Sequence, residues 1–231
     1  MHSYKDIFSR AYSVFGDEAM SKLKGSHVVV FGLGGVGSYC CAALARNGVG
    51  QISIVDFDKV CASNVNRQLF ANISSVGELK TELAEEYLKD INPQLIVNKY
   101  CVKAAQDNIA NICSKADYVI DCIDEVPVKV AIAKLCEDKK INLISCMGTA
   151  LRLRPELLEI CDLYETSTCP LCRKIRHEAR AAGVSALKVL YSKEEPAKSL
   201  DGNLGSTSFV PPVAGLMLAG EVIKAVAGKT L

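Results

Sequence analysis

His27-Val28-Val29-Val30-Phe31-Gly32-Leu33-Gly34-Gly35-Val36-Gly37 is the stretch whose reading decides the fold. His27 to Phe31 is a short β-branched, apolar run of the kind that forms a buried strand. Glycines follow at once, and a helical pattern runs from about Val36 to Asn47. Strand, G-x-G-x-x-G turn and helix in that order open a nucleotide-binding βαβ unit. The glycines allow a tight turn and let the backbone approach phosphate. The helix N-terminus supplies free N–H groups and the positive end of the helix dipole. Gly32, Gly34, Gly35 and Gly37 are therefore candidate nucleotide-binding residues. Asp56 ends the next strand, 19 residues after Gly37, where a carboxylate can accept hydrogen bonds from ribose hydroxyls.

Outward from this unit, strands and helices alternate. Strands are expected at Gln51–Asp56, Leu95–Val97, Asp117–Asp121 and Ile141–Ser145. Helices are expected at about Gly77–Asp90 and Pro127–Lys139. That rhythm predicts an α/β fold: a Rossmann-like, mostly parallel sheet with helices on both faces. After about Gly148 the rhythm changes. A strand near Leu157–Ile160, a charged helix Pro170–Ala182 and a strand Leu187–Tyr191 follow. A polar crossover, Ser192–Ser206, leads to a last helix opened by Pro211 or Pro212 and ending near Gly228. The expectation is one domain over residues 1–231, with a nucleotide-binding half, 1–148, and a C-terminal extension of the sheet, 149–231.

Composition narrows the function classes. A net charge of +1 excludes a strongly basic nucleic-acid binder as a description of the whole chain, though not a local patch. Eleven cysteines, an odd number scattered through strands and helices, do not read as a disulfide framework and point to a reducing, cytoplasmic setting. The N-terminus has no apolar signal segment. The longest uncharged run, Gly202–Gly220, contains Asn, hydroxyl residues and two prolines and is a poor membrane span, so no membrane partner is expected.

The glycine motif alone leans towards NAD, and an NAD-binding oxidoreductase or a non-catalytic nucleotide-binding scaffold stays open at this point. The residues that follow pull towards ATP. A dinucleotide carries about two phosphate charges and a triphosphate about four, which calls for fixed cations and usually Mg²⁺. Arg67 and Lys80 are candidate cations, and Asp124 sits at a strand's C-terminal end, where Mg²⁺ could be held.

Five spaced motifs sharpen this: G-L-G-G-V-G-S (32–38), D-F-D-x-V (56–60), S-N-x-N-R-Q (63–68), V-G-x-x-K (76–80) and D-C-I-D (121–124). Together they resemble the ubiquitin-activating/ThiF/MoeB superfamily of ATP-dependent adenylyltransferases. The resemblance implies that Asp56, beside Asp58, binds ribose, and that Asn64, Arg67 and Gln68 line the phosphate site. It implies that Lys80 contacts phosphate and stabilises the departing charge, and that Asp124 coordinates Mg²⁺. Arg10, in Phe8-Ser9-Arg10, matches an arginine that such proteins reach into the partner subunit's site, which implies a homodimer.

The second half is similar to one branch, the tRNA threonylcarbamoyladenosine dehydratase (TcdA or CsdL) family. The carrying stretches are Asp162–Leu171, Val189–Pro196 and Gly205–Pro211. The resemblance implies adenylation of a threonine carboxylate on tRNA by ATP, then cyclisation with net loss of water. A tRNA substrate calls for a basic surface. Arg173, Arg176, His177 and Arg180 fall on one face of the Pro170–Ala182 helix, Lys174 is adjacent, and Arg152 and Arg154 precede it. The alternative is an adenylyltransferase for a small sulfur-carrier or ubiquitin-like protein. Such enzymes usually carry two C-x-x-C pairs for zinc, and here only Cys169-Pro170-Leu171-Cys172 is present. That pair leaves open a redox or sulfur partner protein, a metal site completed across a dimer, or ordinary buried cysteines.

Overall fold

The computed structural model describes residues 2–229. Its elements run α1 (Tyr4–Ile7), α2 (Ser9–Gly25), β1 (His27–Phe31), α3 (Gly37–Arg46), β2 (Gln51–Val55), α4 (Lys80–Ile91), β3 (Ile96–Tyr100) and α5 (Ile109–Ile112). They continue β4 (Tyr118–Asp121), α6 (Val126–Lys139), β5 (Asn142–Cys146), β6 (Leu158–Asp162), α7 (Pro170–Ala181), β7 (Lys188–Ser192) and α8 (Val210–Ala227). One seven-stranded sheet takes the order β3-β2-β1-β4-β5-β7-β6. Every pairing is parallel except β6 with β7. The α/β class, the mostly parallel sheet and its extension by the second half are thus as the sequence predicts.

Alternation along β1 shows how both faces are filled. Val28 and Val30 join Leu23, Leu44 and Leu218 on the side of α2, α3 and α8. Val29 and Phe31 join Ile112 and Ile132 on the side of α5 and α6. All five residues of β1 are buried, as a parallel strand covered on both faces must be. A third cluster, with Val130, Ile175 and Val189, seats α6 and α7 against β7.

α8 is long and apolar enough to cross a membrane, yet 56% of it is buried within the protein. It lies against α3 so closely that a Cβ at Gly215 would collide with the Val36 carbonyl oxygen. Small residues permit that approach.

Local chemistry explains where boundaries differ from the sequence reading. α4 begins at Lys80, not Gly77, because Gly77 adopts φ 96° and Leu79 bridges antiparallel to Lys59. β3 continues past Val97 through Asn98, Lys99 and Tyr100 as an edge strand, where polar residues interrupt the apolar run. α1 and α5 are single turns, and α2 is broken at Gly16 (φ 81°), so none shows a sustained helical period.

The chain leaves β1 for β2 and β3 on one side, while β4 and β5 lie on the other. The crevice beyond the C-terminal ends of β1 and β4 is the switch point where open α/β sheets bind ligands.

Candidate active site

The glycine loop occupies that crevice, and its glycines do different jobs. Gly32 has φ 87°, and a Cβ there would lie 3.0 Å from the Cys122 carbonyl oxygen. A Cβ at Gly37 would collide with the Gly32 carbonyl oxygen. These two shape the turn. At Gly35 a Cβ would sit 3.2 Å from Arg67 Cγ and 3.1 Å from Pro211 Cβ. Gly34 faces Gln68, with Nε2 at 4.0 Å from such a Cβ. No side chain caps the N-terminus of α3; the Ser38 amide already donates to the Gly34 carbonyl (3.1 Å), and the other first-turn amides are left to meet an anion. Ser38 Oγ donates to the Gly34 carbonyl (2.7 Å) and accepts from the Leu69 amide (3.1 Å). It ties the loop to the Arg67–Phe70 segment, a bond that the motif's last letter marks.

Asp56, at the end of β2, is buried beneath the loop. Its Oδ2 accepts from the Leu33 amide (2.7 Å) and its Oδ1 from the Asp58 amide (2.8 Å). Lys80, the first residue of α4, sends Nζ to Asp58 Oδ2 (2.7 Å) and to within 3.9 Å of Asp56 Oδ1. Asn64 holds a turn: Oδ1 accepts from the Cys61 amide, and its carbonyl accepts from the Arg67 and Gln68 amides. Arg67 Nη1 donates to the Ser63 carbonyl (2.9 Å) and Asn66 Oδ1 (3.0 Å). Arg67 and Gln68 thereby flank Gly35 and Gly34, and Asp56, Asp58 and Lys80 form a second group under the same loop. Asp124 is exposed on the loop after β4.

Behind Asp124 lies a network that reading the sequence does not reveal. Asp121 Oδ2 takes Lys129 Nζ at 2.7 Å and the Ser145 hydroxyl at 2.6 Å. Asp121 Oδ1 accepts from the Ile123 amide, and Lys129 also donates to the Ile123 carbonyl (2.9 Å). Both members of the ion pair are sealed from water, and they fix the 122–124 turn that presents Asp124. The available signal was Lys129 itself, one cation inside the apolar run Val126–Ala133.

The other candidates lie apart. Arg10 is exposed on α2. On α7, Arg173 and Lys174 are exposed, but Arg176 turns inward. Its Nη1 donates to the Thr166 carbonyl and hydroxyl (2.6 and 2.9 Å) and to the Leu163 carbonyl (3.3 Å). Arg180 stacks over the Tyr164 ring at 5.1 Å. The expectation that Arg152 joins a basic surface is corrected: it is 2% exposed. Arg154 pairs with Glu156 at 2.8 Å.

Cys169 and Cys172 are both buried at the N-terminus of α7. Hydrogen bonding from Cys172, then from the Cys172, Gly148 and Leu171 amides, holds the Cys169 thiol down at about 5, while Cys172 is pushed up. Burial pushes up the thiols of Cys40 and Cys122, which border the glycine loop, so they stay protonated. Among the described residues, no three His, Cys, Asp or Glu side chains gather into a metal cluster.

Comparison with known proteins agrees with this geometry. Residues 8–231 match the ThiF family. The chain is 37% identical over 235 residues to the tRNA threonylcarbamoyladenosine dehydratase of Bacillus subtilis (strain 168), spanning 94% of this chain and 92% of that protein. The crystal structure of E. coli tRNA N6-threonylcarbamoyladenosine dehydratase, TcdA, in complex with AMP superposes with a TM-score of 0.91 at 29% identity, covering 100% of this chain and 98% of that one. The same protein in complex with ATP gives 0.90 at 29% identity, covering 100% and 99%.

Proposed function

The chain belongs to the ThiF family, and on that premise we propose that it is an ATP-dependent tRNA threonylcarbamoyladenosine dehydratase, built as one adenylyltransferase unit over residues 1–231. The observation that carries this reading is the convergence at one crevice of an uncapped glycine loop, Arg67 and the Asp56–Asp58–Lys80 group.

A carboxylate is a poor electrophile because its leaving group would be oxide. Adenylation removes that obstacle. An oxygen of the threonyl carboxylate attacks the α-phosphorus of ATP, the bond to the bridging oxygen breaks, and pyrophosphate departs with the electron pair. The neighbouring ureido group then attacks the acyl carbon, loses a proton, and AMP leaves. The product is cyclic and one water lighter. An attacking group held in the same molecule has a large effective concentration, so no protein nucleophile is required.

Two anions must meet, so the protein's work is electrostatic preorganisation. The α3 amides and Gly32–Gly37 cradle phosphate. Lys80 exchanges its half-exposed partner Asp58 for phosphate oxygens and stabilises the leaving pyrophosphate. Arg67, held by Ser63 and Asn66, and Gln68 and Asn64 line the same phosphates. Asp56 keeps the loop in place and faces the ribose. Mg²⁺, when bound, would neutralise phosphate charge. Asp124 is the exposed carboxylate that fits it, since Mg²⁺ is held in such sites by one or two carboxylates together with substrate phosphates and water.

Arg173 and Lys174 face the tRNA, Arg10 reaches a second copy's site in a homodimer, and the protein works in the cytoplasm without a membrane. Mass spectrometry of nucleosides from tRNA carrying threonylcarbamoyladenosine tests the reading. Incubation with ATP and Mg²⁺ should shift that nucleoside down by one water and release AMP. Unchanged nucleoside mass, with pyrophosphate exchange that depends instead on a small carrier protein, would overturn it.

A further inference from the structure

Arg152 lies outside every role assigned so far. It follows Leu151, whose φ of 56° turns the chain after β5. Its side chain is sealed in the protein, and among the described residues neither Nε nor Nη1 has a hydrogen-bond partner. The nearby acids in sequence are already engaged. Glu156 pairs with Arg154, and Glu194 accepts the Leu153 and Arg154 amides at 3.0 Å. A guanidinium does not lose its proton in proteins, and a buried charge without a partner is strongly unfavourable. A fold that keeps one has a use for it with something absent from the isolated chain.

Its position says what. β5 lies next to β4, whose end carries Asp124. The Leu151 amide donates to the Gly205 carbonyl (2.9 Å), Asn66 Nδ2 donates to the Ser206 carbonyl (3.1 Å), and Arg67 Nη1 donates to Asn66 Oδ1 (3.0 Å). Arg152 is therefore tied by a short chain of bonds to the rim that holds Arg67. The nucleotide's phosphates already have the glycine loop, Arg67 and Lys80 on the β1–β2 side. The anion still lacking a cation is the substrate's carboxylate, which must come from the β4–β5 side.

Resting on the dehydratase reading above, the geometry points to Arg152 as the residue that binds the threonyl carboxylate and selects the modified nucleoside. One carboxylate oxygen lies on the guanidinium, and the other is left free to attack the α-phosphorus. The segment between β7 and α8 crosses the backbone of Leu151, the neighbour of Arg152. It has no helix or strand and is joined to Leu151 by two backbone bonds, Ala197 N–H to the Leu151 carbonyl (2.8 Å) and Leu151 N–H to the Gly205 carbonyl. Leu200 and Leu204 on it are largely exposed, so parting it from Leu151 breaks little packing.

The test is steady-state kinetics and thermal melting of Arg152→Met and Arg152→Lys beside the wild type. Arg152→Met should raise KM for threonylcarbamoyl tRNA about 10- to 100-fold, the loss of a hydrogen bond to a charged group. KM for ATP should not move, Tm should be equal to or above that of the wild type, and Arg152→Lys should recover part of the loss. A purely structural arginine would instead lower Tm and leave KM for tRNA unchanged, which overturns the assignment. A rise in KM for ATP in place of tRNA also overturns it, by moving the anion to the nucleotide. A wild-type protein that cyclises no nucleoside overturns the dehydratase reading itself, and is distinguishable from an active wild type with an unaffected Arg152→Met variant.

Discussion

Two acid–lysine groups flank the glycine loop, one beyond β2 and one beyond β4, and they have opposite characters. Lys80 meets Asp58, whose side chain is 49% exposed, at the open mouth of the crevice. Lys129 meets Asp121 with both side chains almost wholly enclosed, at 0% and 1%. The charges are alike and the distances are the same, 2.7 Å. What differs is access to water, and that decides the use. Lys80 can trade Asp58 for a ligand's phosphate because water and Asp58 can rearrange together. Among the described residues, Lys129 has, besides Asp121, no other hydrogen-bond partner than the Ile123 carbonyl it already holds. In the proposed function the first group acts on a ligand; the second fixes the backbone that presents Asp124.

The largest effect should come from the enclosed pair. Lys129→Met leaves Asp121 buried and unpaired and should lower unfolding free energy by about 3–5 kcal/mol. Asp121→Leu combined with Lys129→Met should regain much of it in denaturant titrations. A single variant as stable as the wild type would break the contrast at once. Next comes Lys80→Ala, expected to slow single-turnover adenylation by about 10²–10³ with a smaller stability loss than Lys129→Met, because its partner Asp58 stays half in solvent. A large stability loss with unchanged rate would place Lys80 with Lys129.

The basic face of α7 repeats the contrast on a smaller scale. Arg176→Met removes three hydrogen bonds to the Leu163–Thr166 turn and should destabilise by about 1–3 kcal/mol. Arg173→Ala should stay within about 0.5 kcal/mol but weaken tRNA binding and flatten its salt dependence. At Cys169 the comparison is read against pH. Its thiol is held near 5 in the fold, below the value of about 8.5 for a free cysteine. The stability this contributes is fully present above about pH 8.5 and is lost as pH falls through about 5. The stability gap between wild type and Cys169→Ser should therefore widen from pH 5 to 8.5. A gap that is flat, or that narrows, would remove the thiolate.

Much of this was legible in local sequence. His27–Phe31 and Gly32–Gly37 specify strand, turn and helix within one window, and Asp56, Arg67 and Lys80 stand in motifs with fixed spacing. What escaped is what depends on distant segments. Asp121 stands in a quoted motif, but its partners Lys129 and Ser145 come from the next helix and strand. Arg152 reads as a surface cation beside Arg154, yet the fold buries it next to Leu151, which the 193–209 segment crosses. Arg176 shares a helical face with Arg173, yet a turn beneath the helix captures one and not the other. The Lys80 start of α4 was hidden because Gly77 takes a left-handed conformation inside an otherwise helical pattern.

The close crossing of α8 over α3 at Gly215 and Val36, with Pro211 against Gly35, has a consequence for biosynthesis. The loop emerges from the ribosome long before the helix that buttresses it. A nascent chain would thus acquire nucleotide affinity only once translation has passed α8, and proteases that clip ahead of Val210 would yield a fragment with an intact fingerprint and an unsupported cradle.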